Sequence, residues 1–277
     1  MKTVLFLALA VFFSAVSPLA ASLDNIATVR LIAGPPDGGS QPLGLRLVLA
    51  PGWKTYWRSP GDGGIPPRFD WSGSQNIADV TVGWPAPHRF SSFGMSTLGY
   101  DTQVVFPLTV KRRDPGQPAV LALTLDYAVC KQICVPRDAR LTQVLPANPA
   151  SPRAGALIAQ FAARVPGPPN GRLTITSVRW RQDAAGAVLV MRAGSAAGFV
   201  APDVMLEAGS AYGFGVPQVS LGPKRRKAIF RVPVWREKGA LPLTGQPVRA
   251  TLVDGNGQAI EVALTVTKDV QQERPIP

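Results

Sequence analysis

The sequence predicts an all-β protein: two β-sandwich-like domains joined by a Pro-rich linker that carries one short helix. Three observations predict it. Gly and Pro supply 27 and 28 of the 277 residues, a content that breaks long helices and favours short strands between turns. Short apolar runs with period-2 alternation recur along the chain. A single Pro-rich break, Asn148-Pro149-Ala150-Ser151-Pro152, divides them and precedes the one segment with helical spacing. At 46% hydrophobic and 17% charged residues, the chain has the composition of a globular protein with a core in each domain.

The elements follow in order. Strands are expected over 27–32, 43–49, 78–82, 104–110, 120–127 and 140–145. Leu43, Leu45, Leu47 and Leu49 alternate with Gly44, Arg46, Val48 and Ala50, as in a strand with one buried face. Turn signals separate the runs: Gly34-Pro35-Pro36-Asp37-Gly38-Gly39, Ser59-Pro60-Gly61-Asp62-Gly63-Gly64 and Asp114-Pro115-Gly116. The helix is expected over 153–164, with Leu157, Ile158, Phe161 and Val165 on one face, and Pro166-Gly167-Pro168-Pro169 stops it. Strands then resume over 173–180, 187–192, 204–207, 228–234, 248–253 and 259–266. Asp254-Gly255-Asn256-Gly257 between the last two is a hairpin turn signal. The predicted organisation is a first domain over 23–147, a linker over 148–171, a second domain over 172–268 and a tail over 269–277.

Ahead of the first domain, Met1-Lys2 is followed by an apolar run from Val4 to Phe13 and small residues to Ser22. This reads as a signal peptide over 1–21, too short in its apolar part for a spanning helix. The mature chain is therefore expected to be soluble and exported, in a compartment where disulfides can form. Its formal charge is +12. Two basic runs, Lys111-Arg112-Arg113 and Lys224-Arg225-Arg226-Lys227, fall in turn-like segments. They read either as solvated tips that keep strand edges soluble or as peripheral contacts with anionic headgroups. Nucleic acid is not an expected partner, for no recognition helix or zinc-finger pattern is present. One histidine, His88, leaves little scope for His-rich metal sites or a Ser-His-Asp triad, and two cysteines exclude a four-thiolate zinc site. The Gly-rich turns lack the strand–GxxxxGK–helix context of a phosphate loop.

The two cysteines are Cys130 and Cys134. Along an unbroken strand they would stand about 13 Å apart, so a disulfide requires Lys131-Gln132-Ile133 to form a turn. Helical spacing would also bring them together, although the alternation over 121–127 and Pro136 favour an extended chain. A bond closing so short a loop removes about 2 kcal/mol of chain entropy, little for a structural staple. Lys131 inside the loop would favour the thiolate, the nucleophile of exchange. The pair therefore reads as redox-active ahead of structural. Copper(I) ligation is a third reading, with Met95 or His88 completing the site.

Pro51-Gly52-Trp53-Lys54-Thr55-Tyr56-Trp57-Arg58, then Phe90 to Gly94, then Leu123-Thr124-Leu125-Asp126-Tyr127 leading into the Cys pair and Val135-Pro136, resemble the N-terminal periplasmic domain of DsbD. The variant in ScsB-type proteins, the suppressors of copper sensitivity, is the most similar. The resemblance runs over about residues 25–147, and residues 172–268 resemble the second β-domain of ScsB-type members. It implies immunoglobulin-like sandwiches and a protein-disulfide reductase-like electron relay that needs no cofactor. The donor would be a membrane-embedded thiol reductase and the acceptor a thioredoxin-like periplasmic protein. By the same resemblance Cys134 attacks the partner's disulfide and Cys130 resolves the mixed disulfide. A cap loop over His88 to Ser96 shields the pair, with Phe93 over the sulfurs, Phe90 and Met95 beside it, and Tyr56 lining the site.

Three departures accompany the resemblance. Ser91 and Ser92 stand where DsbD has acidic cap-loop residues, the cysteine loop is shorter, and no reductase or thioredoxin-like domain follows before Pro277. The expectation is a separate relay that meets an independent membrane reductase. The competing readings are a copper-tolerance protein that holds Cu(I) and a scaffold in which the disulfide is only a staple.

Overall fold

In the computed structural model, the described residues are 25–268 apart from 38–39, 93, 149 and 184–185. The expected signal peptide, the tail and the cap residue Phe93 lie outside them. Ten strands build the first sandwich: β1 (Ala27–Ala33), β2 (Leu43–Leu49), β3 (Lys54–Gly61), β4 (Arg68–Asp70), β5 (Ile77–Val82), β6 (His88–Ser92), β7 (Met95–Asp101), β8 (Gln103–Arg112), β9 (Ala119–Cys130) and β10 (Cys134–Leu145). One sheet runs β1-β2-β8-β5, the other β10-β9-β3-β7-β6, with β4 also paired to β9. Leu43, Leu45, Leu47 and Leu49 all face the core, as their alternation predicts.

Four of these strands were not expected from periodicity. In β3, Thr55, Tyr56 and Trp57 are buried in succession, and the pairing with β7 slips between Tyr56 and Gly61. A bulged strand breaks the period-2 signal that would announce it. The segment expected as a cap loop is a β-hairpin: β6 and β7 pair from His88–Gly99 to Ser92–Met95. The short β4 is the fourth, at three residues.

Helix α1 (Pro152–Ala162) begins one residue before its expected start, capped by Ser151, whose side chain accepts from the Ala154 amide. It packs on the first sandwich: Ile158 and Phe161 are buried in the same core as Leu45 and Trp57. A Cβ at Gly34 would lie 2.6 Å from the Gly155 Cα, so two glycines let helix and chain meet.

The second sandwich holds β11 (Leu173–Asp183), β12 (Gly186–Ser195), β13 (Asp203–Glu207), β14 (Tyr212–Phe214), β15 (Gln218–Leu221), β16 (Lys227–Arg236), β17 (Pro247–Val253), β18 (Ala259–Thr265) and β19 (Thr267–Lys268). Its sheets run β14-β16-β12-β11-β19, with β15 on β16, and β13-β17-β18. β17 and β18 form the expected hairpin around Asp254-Gly255-Asn256-Gly257. The molecule is thus two immunoglobulin-like sandwiches with one short helix between them in sequence. No helix among the described residues is long and apolar enough to cross a membrane.

The domains meet mainly through one face of β13, joined by Val253 of β17 and Glu261 of β18. Along β13, Val204 and Leu206 enter the second core. The alternate residues point the other way: Met205 is buried in the first core, flanked by Asp203 and Glu207, which bind arginines of the first domain. Period-2 alternation gives a single strand two cores to serve.

Candidate functional site

β9 and β10 are partners over their full length, and the hairpin opens at Cys130–Cys134. Lys131, Gln132 and Ile133 make the turn, closed by the Lys131 amide donating to the Ile133 carbonyl at 3.0 Å. Facing residues of an antiparallel pair bring Cα atoms close, here 4.1 Å, and the two sulfurs are bonded. The turn alternative, not the helical one, is realised. Cys130 is half-buried and Cys134 is exposed, with Ile133 60% exposed beside it.

β3 supplies the neighbours. Its first residue, Lys54, pairs with Cys130, and Tyr56, buried against the sheet, directs its hydroxyl at the sulfurs. The Tyr56 Oη donates to Cys130 Sγ at 2.8 Å and lies 3.3 Å from Cys134 Sγ. Burial pushes the Tyr56 hydroxyl above its ordinary pKa, so it keeps its proton at neutral pH. The Tyr56 ring is seated by Gly64, where a Cβ would fall 2.6 Å from Cδ1 and 2.3 Å from the Pro60 Cβ. The Gly-rich turn that the sequence showed only as punctuation is therefore the seat of this tyrosine.

The β6–β7 hairpin flanks the site through two contacts. The Lys54 Nζ sits over the Phe90 ring, 4.5 Å from its centroid. Met95, 39% exposed, lies against Gly63, where a Cβ would come within 2.7 Å of its sulfur. Lys131 crosses Gly52 and reaches the Pro51 carbonyl at 3.4 Å. Gly52 has φ of +81°, a conformation that glycine adopts without strain.

His88 and Met95 are not brought together. They stand at opposite ends of the hairpin, His88 across from Gly99 and Met95 across from Ser92, and they line different clefts. Among the described residues no three His, Cys, Asp or Glu side chains cluster as metal ligands. Of the basic runs, Lys111 and Arg113 are exposed at the end of β8, and Lys224 to Lys227 are exposed around a 3-10 turn.

Two residues escaped the sequence reading. Arg58 binds Glu207 through Nη2 at 2.8 Å and Nε at 3.1 Å and also pairs with Glu261. Burial pulls its pKa down, and the two carboxylates more than offset this and raise it. Arg89, next to Phe90, makes a two-point pair with Asp203, at 2.8 and 3.1 Å. Both arginines sit one or two residues from site aromatics, but their partners are over a hundred residues away and leave no local signal.

A cysteine couple at the open end of a sheet, one sulfur exposed and both beside a tyrosine hydroxyl, makes the first domain a β-sandwich that carries a disulfide at its surface. Residues 26–146, nearly the whole of the first domain, match the family model of the thiol:disulfide interchange protein DsbD, N-terminal. A second family model, a domain of unknown function (DUF8393), matches residues 164–269. Among solved structures, the N-terminal periplasmic domain of ScsB from Proteus mirabilis is 28% identical, with a TM-score of 0.73 over 89% of this chain and 95% of that one. The reduced N-terminal domain of DsbD from Neisseria meningitidis is 19% identical, with a TM-score of 0.24 over 41% of this chain and 82% of that one. A search of curated protein sequences finds no match.

Proposed function

We propose that this chain is a periplasmic thiol–disulfide interchange relay working through Cys130 and Cys134. The observation that carries the reading is the unequal treatment of the two sulfurs: Cys134 is exposed to an incoming thiolate, while Cys130 is half-buried and holds the shorter bond to the Tyr56 hydroxyl. A donor thiolate attacks Cys134 Sγ, the S–S bond breaks, and Cys130 leaves as a thiolate that accepts the tyrosine hydrogen bond. The donor's second thiolate then cleaves the mixed disulfide. The donor departs oxidised, and two electrons remain on the Cys130–Cys134 pair. In the second half-reaction Cys134 attacks the acceptor's disulfide and Cys130 resolves the product. The match of the first domain to the DsbD N-terminal model supports a membrane-embedded thiol reductase as donor and a thioredoxin-like periplasmic protein as acceptor.

The test is the reduction potential of the pair, read by equilibrating the mature protein in thiol buffers and counting alkylated cysteines by mass. A value between about −250 and −150 mV is expected of an exchange protein. A value below about −300 mV marks a structural staple and overturns the relay. With the potential in the exchange range, Cys130→Ser traps acceptors as mixed disulfides on Cys134.

A further inference from the structure

A cleft of about 670 Å³ lies between the two domains, within the size range of ligand pockets, and the interchange chemistry leaves it unused. The first domain supplies one wall through Pro60 and Asp62 of the turn that seats Tyr56. Pro60 and the Tyr56 ring both abut Gly64, so one proline and one tyrosine ring separate the cleft from the Cys130 and Cys134 sulfurs. The second domain supplies the other wall through residues 209–215, which include β14, and through Trp235. β14 ends its sheet, with β16 on one side only. The Glu237 amide donates to the Ala211 carbonyl and the Gly215 amide to the Pro233 carbonyl, each at 2.9 Å. Bonding sites alternate along an antiparallel pair, so the backbone groups of Tyr212 and Phe214 turn away from β16. An edge of this kind is a template for one more strand. A Cβ at Gly213 would overlap the Trp235 indole. The ring thus lies across the bare glycine, and at 50% exposure it leaves its other face open. Three charged side chains line the cleft, Asp62, Arg89 and Glu237. Arg89 is taken by Asp203, which leaves two carboxylates, opposite in sign to the molecule's +12.

A free strand edge, an open aromatic face and two carboxylates together suit an extended polypeptide that carries a basic side chain. The net charge opposes a second copy of this chain as occupant, and the tail over 269–277 follows β19, at the opposite edge of the sheet. We propose that this cleft binds an extended, basic segment of another polypeptide, which adds a strand to β14 and lays a side chain on Trp235. That the segment belongs to a protein exchanging disulfides with Cys130–Cys134 rests on the interchange reading; the binding itself does not.

The probe is a capped, dye-labelled, cysteine-free peptide of alternating lysine and valine, titrated against the oxidised mature chain and read by fluorescence anisotropy. Saturable binding is expected. The same peptide with glutamate for lysine should bind more weakly by about tenfold. A version methylated on alternate backbone amides, which cannot pair as a strand, should lose about as much. Trp235→Ala is expected to weaken the lysine peptide by about tenfold, the scale of losing an aromatic anchor. Glu237 is exposed, so Glu237→Lys tests the charge without disturbing the core. It should weaken the lysine peptide by about threefold and strengthen the glutamate one. No saturable binding, equal affinity for the glutamate or methylated peptide, or affinities unchanged in both variants overturns the proposal. So does binding that emerges only after residues 269–277 are removed, which makes the tail the occupant. A concentration-dependent dimer that is lost in Trp235→Ala overturns it too, making the occupant a second copy. A reduction potential below about −300 mV would remove the interchange reading and leave these affinities standing. Failed binding at a potential in the exchange range would remove the cleft alone.

Discussion

The Tyr56 hydroxyl is the smallest unit on which the proposed chemistry turns. Against a disulfide it makes a neutral hydrogen bond, worth about 1 kcal/mol. Against a thiolate the same bond is charge-assisted and roughly twice as strong. The hydroxyl therefore favours the reduced, ionised pair, and burial keeps it protonated to do so. Tyr56→Phe removes about 1 kcal/mol of this preference. The expected results are a Cys130 thiol pKa raised by close to one unit and a reduction potential about 20 mV more negative. Thiol-buffer equilibration and the pH dependence of alkylation read the two quantities. A potential unmoved within error would mean that the hydroxyl does not act on the thiolate.

At the scale of elements, the site is an arrangement of one hairpin end, one bulged strand and one glycine turn. Gly64→Ala tests the turn: the added Cβ meets Pro60 at 2.3 Å and the Tyr56 ring at 2.6 Å, so one of them must move. Overpacking of this kind costs about 1–3 kcal/mol. The variant should lower the urea midpoint and shift the potential in the same direction as Tyr56→Phe. A potential equal to the parent's would show that Pro60 yields and the tyrosine stays. Much of this scale is legible in the sequence. The alternating leucines of β2 announce their buried face, and the alternation over 121–127 with Pro136 favours the turn between Cys130 and Cys134 that is found. What is not legible has a physical cause. β3 buries three residues in a row because it bulges, which erases its periodicity. The polar face of Asp203-Val204-Met205-Leu206-Glu207 reads as solvent-facing, because only the fold shows that arginines wait opposite. The position of Tyr56 came from family resemblance, since a tyrosine near a strand start carries no mark of a sulfur contact.

Across the whole molecule, the tyrosines with raised pKa values all lie in the first sandwich, which couples its stability to alkaline pH. Tyr100 is buried, its ring packs edge-on against Phe106 and its hydroxyl donates to the Pro85 carbonyl at 2.8 Å. Burial raises its pKa well above the ordinary value, with Arg58 pulling slightly the other way. Tyr127 is shifted in the same direction, chiefly by burial, with Arg137 pulling its pKa down and the Asp138 carboxylate pushing it up. A group whose folded pKa is raised contributes stability that is complete below its unfolded pKa, about 10 for tyrosine. That contribution is lost as pH climbs toward and through the folded value, because the unfolded chain releases the proton first. The oxidised protein should therefore hold a level urea midpoint from pH 7 to 9 and lose stability steadily above pH 10. Tyr100→Phe keeps the ring and sheds the ionisable group. It should lie about 1 kcal/mol below the parent at pH 7, where the hydrogen bond is missing, and its alkaline slope should be shallower, so that the two curves converge. Parallel curves up to pH 11 would assign the alkaline loss elsewhere. The first core also includes Met205 from the second domain and Ile158 from α1. An alkaline transition that begins at Tyr100 therefore acts on a core to which both domains and the linker helix contribute.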